Sequence, residues 1–176
     1  MRAHASLMLL VAGTGAVASL ASVSCVDEVH SEEVAVLGPE TGSPGPEHRP
    51  GQPCVTCHGG SGPGSTQFSV GGTVYLNQGG GPPAPGATVQ IEDIDGHIYT
   101  VTANAVGNFF VPLADFAPHY PTQMSVTSPD GSLTLQMLTH AGRDGSCADC
   151  HTATEGPNSP GPVYLNSAPI VKRDGG

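Results

Sequence analysis

The sequence predicts a mostly β chain: a single antiparallel β-sandwich of about six to seven strands, with two functional loop segments at its ends and a disordered N-terminal tether. Three observations predict it. Residues 68–137 hold six short segments in which apolar residues recur at every second position. Turn residues separate these segments, among them Asp95-Gly96 and Asp130-Gly131, a dipeptide that closes tight hairpins. Gly (25) and Pro (17) together make up nearly a quarter of the 176 residues, which is too much for a helical bundle.

Residues 1–24 read as an export signal. Arg2 and His4 precede LMLLVAGTGAVASLA, an apolar run too short and too rich in small residues for a transmembrane span. Cys25 follows in SVSC, which resembles the site where bacterial lipoproteins are acylated, although Ser22 stands where Leu is usual. The alternative is ordinary cleavage after Ala18 or Ala21. Lipidation explains the odd cysteine: of five, four fall into two Cys-x-x-Cys pairs and Cys25 lies at the signal boundary. Several acyl chains would hold the protein to a membrane, so the expected location is the periplasm, outer membrane or cell surface of a bacterium. Residues 25–47, acidic and then Pro/Gly-rich, read as a flexible linker. A first motif segment spans 48–66, the β domain 67–137, a second motif segment 138–165 and a tail 166–176.

Within the β domain, FSVGGTVYL places Phe68, Val70, Val74 and Leu76 on one face. ATVQIED does the same with Ala87, Val89 and Ile91, and HIYTVTA follows the Asp95-Gly96 turn. NFFVPL alternates Phe109, Val111 and Leu113; QMSVTS turns Met124 and Val126 inward; SLTLQM turns Leu133, Leu135 and Met137 inward. VYLNS at 163–167 echoes VYLNQ at 74–78, which reads as chance or as a short extra edge strand. The order Gly72-Thr-Val-Tyr, Gly86-Ala-Thr-Val-Gln-Ile, Asp95-Gly96, Gly107-Asn-Phe resembles the carboxypeptidase regulatory-like (transthyretin-like) β-sandwich over about 70 residues. That resemblance implies a non-catalytic module, so the fold alone assigns no activity.

After Cys25 the chain has four basic residues, Arg49, Arg143, Lys172 and Arg173, against fifteen acidic ones, a formal charge of −11. Nothing offsets phosphate repulsion, which argues against nucleic-acid binding. Proteins with basic docking surfaces are the expected partners.

Two pentapeptides carry the chemistry: CVTCH at Cys54, Cys57 and His58, and CADCH at Cys147, Cys150 and His151. Composition alone yields a chance Cys-x-x-Cys-His on the order of once in a hundred such chains, so two copies are not accidental. This spacing suits covalent haem. Two thiols two residues apart meet the two vinyl attachment points, and the histidine that follows directly emerges beneath the iron. A disulfide or redox dithiol of the thioredoxin kind prefers a helix start in a βαβ setting, whereas both copies here sit in Gly/Pro-rich loops. One zinc on four thiols leaves the two adjoining histidines unexplained.

A histidine precedes each motif, His48 and His140, and the ten or eleven residues to His58 or His151 can pass around a ring edge at ~3.3 Å per residue. These are the candidate distal ligands, on their own haem or exchanged. Met137 is a weaker candidate whose inward phase favours a core role. His97 and His119 read as surface residues. The layout of histidine, motif, β domain and second motif resembles small dihaem c-type cytochromes of bacterial envelopes. That resemblance implies two covalently bound c-type haems on Cys54, Cys57, Cys147 and Cys150, with proximal iron ligands His58 and His151.

The function expected is electron transfer rather than catalysis, because two six-coordinate irons leave no open position. The alternatives are a subunit of a surface cytochrome assembly or filament, possible self-association included, and a haem enzyme such as a peroxidase or reductase. The six-strand order places both motifs at one end of the β domain.

Overall fold

A computed structural model describes residues 28–79 and 81–166. The export signal, Cys25 and the end of the tail lie outside the described residues. Seven strands carry most of the regular structure: β1 (Phe68–Asn77), β2 (Thr88–Glu92), β3 (Ile98–Thr102), β4 (Asn108–Pro112), β5 (Gln123–Thr127), β6 (Thr134–Gln136) and β7 (Val163–Asn166). Three short helices accompany them, α1 (Glu28–Val36), α2 (Cys54–His58) and α3 (Cys147–Cys150).

The strands form a three-stranded sheet in the order β4-β1-β7 and a four-stranded sheet in the order β3-β2-β5-β6. Both Asp-Gly turns close hairpins, β2–β3 and β5–β6, with Gly96 at φ 82° and Gly131 at φ 71°. Asn104 carries the chain from one sheet to the other, its side-chain oxygen accepting from the Val106 and Asn108 N–H groups. Alternation delivers a single apolar cluster: Val70, Val74, Phe109 and Val111 come from the first sheet, and Val89, Ile91, Met124 and Val126 from the second.

Three features differ from the sequence reading. The pairing is not wholly antiparallel, because β7 lies parallel to β1 with Val74 beside Val163, Tyr75 beside Tyr164 and Asn77 beside Asn166. The echoed VYLN is a strand after all, and the two copies lie side by side with like residues in register. Second, Phe68 leaves the core face. A bulge sets Phe68 opposite Pro112 but Val70 opposite Val111, and the extra residue turns Phe68 to the outer face against Phe110, with centroids 4.8 Å apart. Third, residues 28–47 are not a structureless tether. Glu28–Val36 is helical, and the Arg49 guanidinium binds the carbonyls of Leu37 and Gly38 and the side chains of Glu40 and Gln52. Five rigidly placed donors make arginine suited to gathering a loop in this way.

Strand β1 is the hub of the first sheet, and two consecutive glycines open both its faces. A Cβ on Gly71 would lie 2.9 Å from the Cys54 Cβ. A Cβ on Gly72 would lie 2.8 Å from the Cys147 Cβ and 3.1 Å from the Phe109 ring. Neighbouring strand residues point to opposite faces, so each glycine makes room for the first cysteine of a different motif. Gly72→Ala therefore has nowhere to put its methyl group, and overpacking of this kind costs about 1–3 kcal/mol. The urea midpoint of Gly72→Ala is expected to fall clearly below that of the parent; an equal or higher midpoint contradicts the contact.

Candidate functional site

Contrary to the loops expected from the sequence, both motifs fold as one short helical turn against β1, with Cys54 and Cys147 each the first residue of its turn, so loop placement no longer argues against a redox dithiol. The segment before α2 is pinned to the outer face of the first sheet by buried polar groups. The Gly51 N–H donates to Thr73 Oγ1 at 2.7 Å, Thr73 donates to Asn108 Oδ1 at 2.7 Å, and Asn108 Nδ2 donates to the His48 carbonyl at 2.9 Å. The second segment is laid along the free edge of β1. Gly71 N–H donates to the Gly145 carbonyl at 2.8 Å, Ser146 bridges Gly71 in parallel, and β7 continues the same edge. Residues 147–162 are thus an excursion between two stretches that run along one strand. The motifs also touch directly, Val55 N–H donating to Ser146 Oγ at 2.8 Å. Their proximity agrees with the sequence expectation, but shared contact with β1, not up-and-down strand order, produces it.

The two motif histidines are held alike. His58 Nδ1 lies 2.7 Å from the Thr66 carbonyl, and His151 Nδ1 lies 2.9 Å from the Gly161 carbonyl. A carbonyl only accepts, so in each ring Nδ1 is the donor, and the neutral tautomer that fits this contact has its lone pair on Nε2. This is how metal-binding imidazoles are commonly oriented. Gly64 closes over the first ring: a Cβ there would meet His58 Nδ1 at 2.4 Å. Phe68, turned outward by the bulge, stacks on His58 at 4.3 Å between centroids.

All four cysteines of the pairs are free thiols. Burial pushes the Cys54 thiol up to about 11 and the Cys147 thiol up to about 12. A redox dithiol needs a thiolate near neutral pH, so these environments oppose that alternative. A thioether sulfur has no proton to lose, and burial suits it. Four thiolates on one zinc would have to converge. Among the described residues the one convergent group of possible metal ligands is Asp93, Asp95 and His119. Between the cysteines of the second motif, the Asp149 carboxyl is raised to about 7 by burial and by the hydrogen bond and charge of Asp144.

Of the candidate distal ligands, His48 is brought to the first motif, its ring 5.8 Å from that of His58 with planes 16° apart. His140 is exposed, directly before Ala141, whose backbone exchanges two hydrogen bonds with Thr122. Met137 packs against the core cluster, in keeping with its inward phase. A cavity of about 340 Å³ lies against the second motif, lined by Cys147, Ala148 and His151 on one side and by Gly51, Thr73 and Tyr75 on the other. A second, of about 440 Å³, lies where Val55 faces Tyr120, Arg143 and Asp144. Each motif offers two thiols and one imidazole, the donor set that a covalently attached haem would use. No helix among the described residues is long and apolar enough to cross a membrane.

Compared with known proteins, the chain matches no family model, no curated protein and no solved structure.

Sequence reasoning missed three contributors. Nothing local announces the bulge that turns Phe68 outward. Ser146 directly precedes a motif and reads as an ordinary helix cap. His97 and His119 are exposed as expected, yet both are partnered: His97 Nδ1 lies 3.1 Å from Asp93 and His119 Nδ1 lies 2.5 Å from Asp95. His97 braces the β2–β3 turn from within, and His119 clasps that turn to the segment before β5. Desolvation alone would raise the Asp93 carboxyl, but hydrogen bonds from His97, His119 and Asp95 hold it down at about 2. The hydrogen bond and charge of Asp95 raise His119 above its ordinary 6.5. The raised imidazole stabilises the fold fully below that ordinary value and ceases to do so as pH climbs through its folded value. The lowered carboxyl contributes above its ordinary 3.8 and is lost as pH falls toward about 2. His119→Ala is therefore expected to lower Tm at about pH 5.5 and to match the parent at about pH 9; a difference that is constant across that range excludes the clasp as an ion pair.

Proposed function

We propose that this chain is an exported dihaem c-type cytochrome that carries electrons between redox partners of the bacterial envelope. The observation that carries this reading is the paired histidine geometry. In two independent Cys-x-x-Cys-His turns the ring proton is engaged by a backbone carbonyl and the opposite nitrogen is left able to bind iron. The two sheets serve, on this reading, as a carboxypeptidase regulatory-like β-sandwich whose task is to hold the motifs side by side. Cys54 and Cys57 hold one haem and Cys147 and Cys150 the other, with His58 and His151 as proximal ligands. When bound, each haem supplies a one-electron iron couple tuned by its ligands and surroundings.

The chain's own residues do the rest. Thr66 and Gly161 fix the proximal rings through their carbonyls. Thr73 and Asn108 hold the backbone of His48 beside the first motif, where this histidine would be the candidate second iron ligand. His140 is the distal candidate for the second site, with Met137 the weaker one. The acidic surface docks basic partners weakly, and salt weakens that docking further. A lipid on Cys25 keeps the protein at the membrane.

Protein matured in a host with c-haem assembly should give a c-type pyridine haemochrome and an intact mass carrying two covalent haems. A colourless product, or one carrying zinc, overturns the proposal. His48→Ala should convert one of the two haems from low to high spin and raise its reduction potential. An unchanged low-spin spectrum removes His48 as a ligand while leaving the haem count intact.

A further inference from the structure

Ser146 occupies the N-cap of α3, where a serine hydroxyl ordinarily accepts from an N–H of its own helix. It makes no such bond. Its hydroxyl instead accepts the Val55 N–H of α2 at 2.8 Å, from 91 residues away in sequence. The first helix needs an outside acceptor, because its own N-cap is Pro53, which has no side-chain oxygen to offer. Ser146 is 2 % exposed, so water has poor access as a substitute.

Its position is fixed from several directions. The Ser146 N–H donates to Asp144 Oδ1 at 2.7 Å, its carbonyl accepts from Asp149 at 3.2 Å, and its backbone bridges Gly71. One buried residue therefore touches β1, the start of α3 and the start of α2. A helix of five residues has little stability of its own, so a single cap is a large share of what keeps it formed.

We propose that Ser146 is a positioning residue shared by both motifs: from the second segment it caps the helix of the first, so that Cys54, Cys57 and His58 take up their attachment geometry only when the second segment is docked on β1. This rests on the dihaem reading. Attachment adds each thiol S–H across a vinyl C=C, the hydrogen going to one carbon and the sulfur to the other. Nothing is released and there is no net oxidation, so the chain's contribution is placement of the two sulfurs on one face of a formed turn. The docked second segment thereby prepares the first site, and the two are not independent binding loops.

The test compares the full chain with Ser146→Ala and Ser146→Thr. Amide exchange is read at Val55 in protein made without haem assembly, and haem occupancy of the two motif peptides is read separately by mass spectrometry after maturation. In Ser146→Ala the Val55 amide should exchange roughly fivefold faster, the effect of losing one cap. Haem on the Cys54–His58 peptide should fall by at least about half, judged against that same cap loss, while the Cys147–His151 peptide stays loaded. Ser146→Thr, which keeps the hydroxyl, should restore both. Unchanged exchange at Val55 overturns the cross-cap. Faster exchange with equal loading of both motifs overturns the positioning role, as does equal loss from both. A parent chain with haem on neither motif refutes the dihaem reading instead, and the exchange arm then decides the cross-cap by itself.

Discussion

Two missing side chains organise this molecule. At Gly71 and Gly72 the central strand of the first sheet has no Cβ on either face, and into those two gaps fit Cys54 and Cys147. Strand geometry does the rest. Because successive positions point to opposite faces, adjacent glycines admit neighbours from opposite sides at almost the same height along the strand. Glycine in a strand interior is conformationally costly. Here that cost is offset by bringing two segments, 93 residues apart in sequence at their first cysteines, into contact through one piece of backbone.

The same arrangement makes the cysteines of each pair unequal. The first of each pair lies against the strand and has a thiol that burial keeps protonated. By exposure the difference is clear in the second pair, where Cys147 is half-buried and Cys150 exposed, whereas Cys54 and Cys57 are both half-buried. The histidine that follows comes off the end of the turn and is caught by a carbonyl further along the chain, Thr66 in one case and Gly161 in the other. Both catching loops bear glycines, and the first closes tightly over its turn, as the approach of Gly64 to the His58 ring shows. The result is a pair of similar sites built from unlike surroundings. The first leans on the outer face of the sheet and on the Phe68–Phe110 stack; the second is strung along the sheet edge between Ser146 and β7.

Of the acidic groups, Asp144 and Asp149 lie beside Ser146. The acidic residues of 28–47 lie on α1 and the segment after it, and Arg49 holds that segment down through four partners. Asp93 and Asp95 lie at the β2–β3 turn, each with a histidine against it. The buried groups that support the first motif, Thr73, Asn108 and Ser146, are all uncharged, so their hydrogen bonds avoid the desolvation cost of buried ions.

Much of this was legible in the residues themselves. Period-two alternation located six of the seven strands, and two Asp-Gly pairs located the hairpins, because side-chain direction and turn geometry are local properties. The two Cys-x-x-Cys-His motifs stand out in the sequence for the same reason: the pattern lies within five positions. What sequence could not supply was everything that depends on which distant segments meet. The parallel match of the two VYLN stretches, the bulge that sets Phe68 opposite Pro112 and the loan of Ser146 to the other helix each need a partner far along the chain. Those were decided by packing, since a backbone N–H left without an acceptor in a buried place takes whichever oxygen the fold brings within reach.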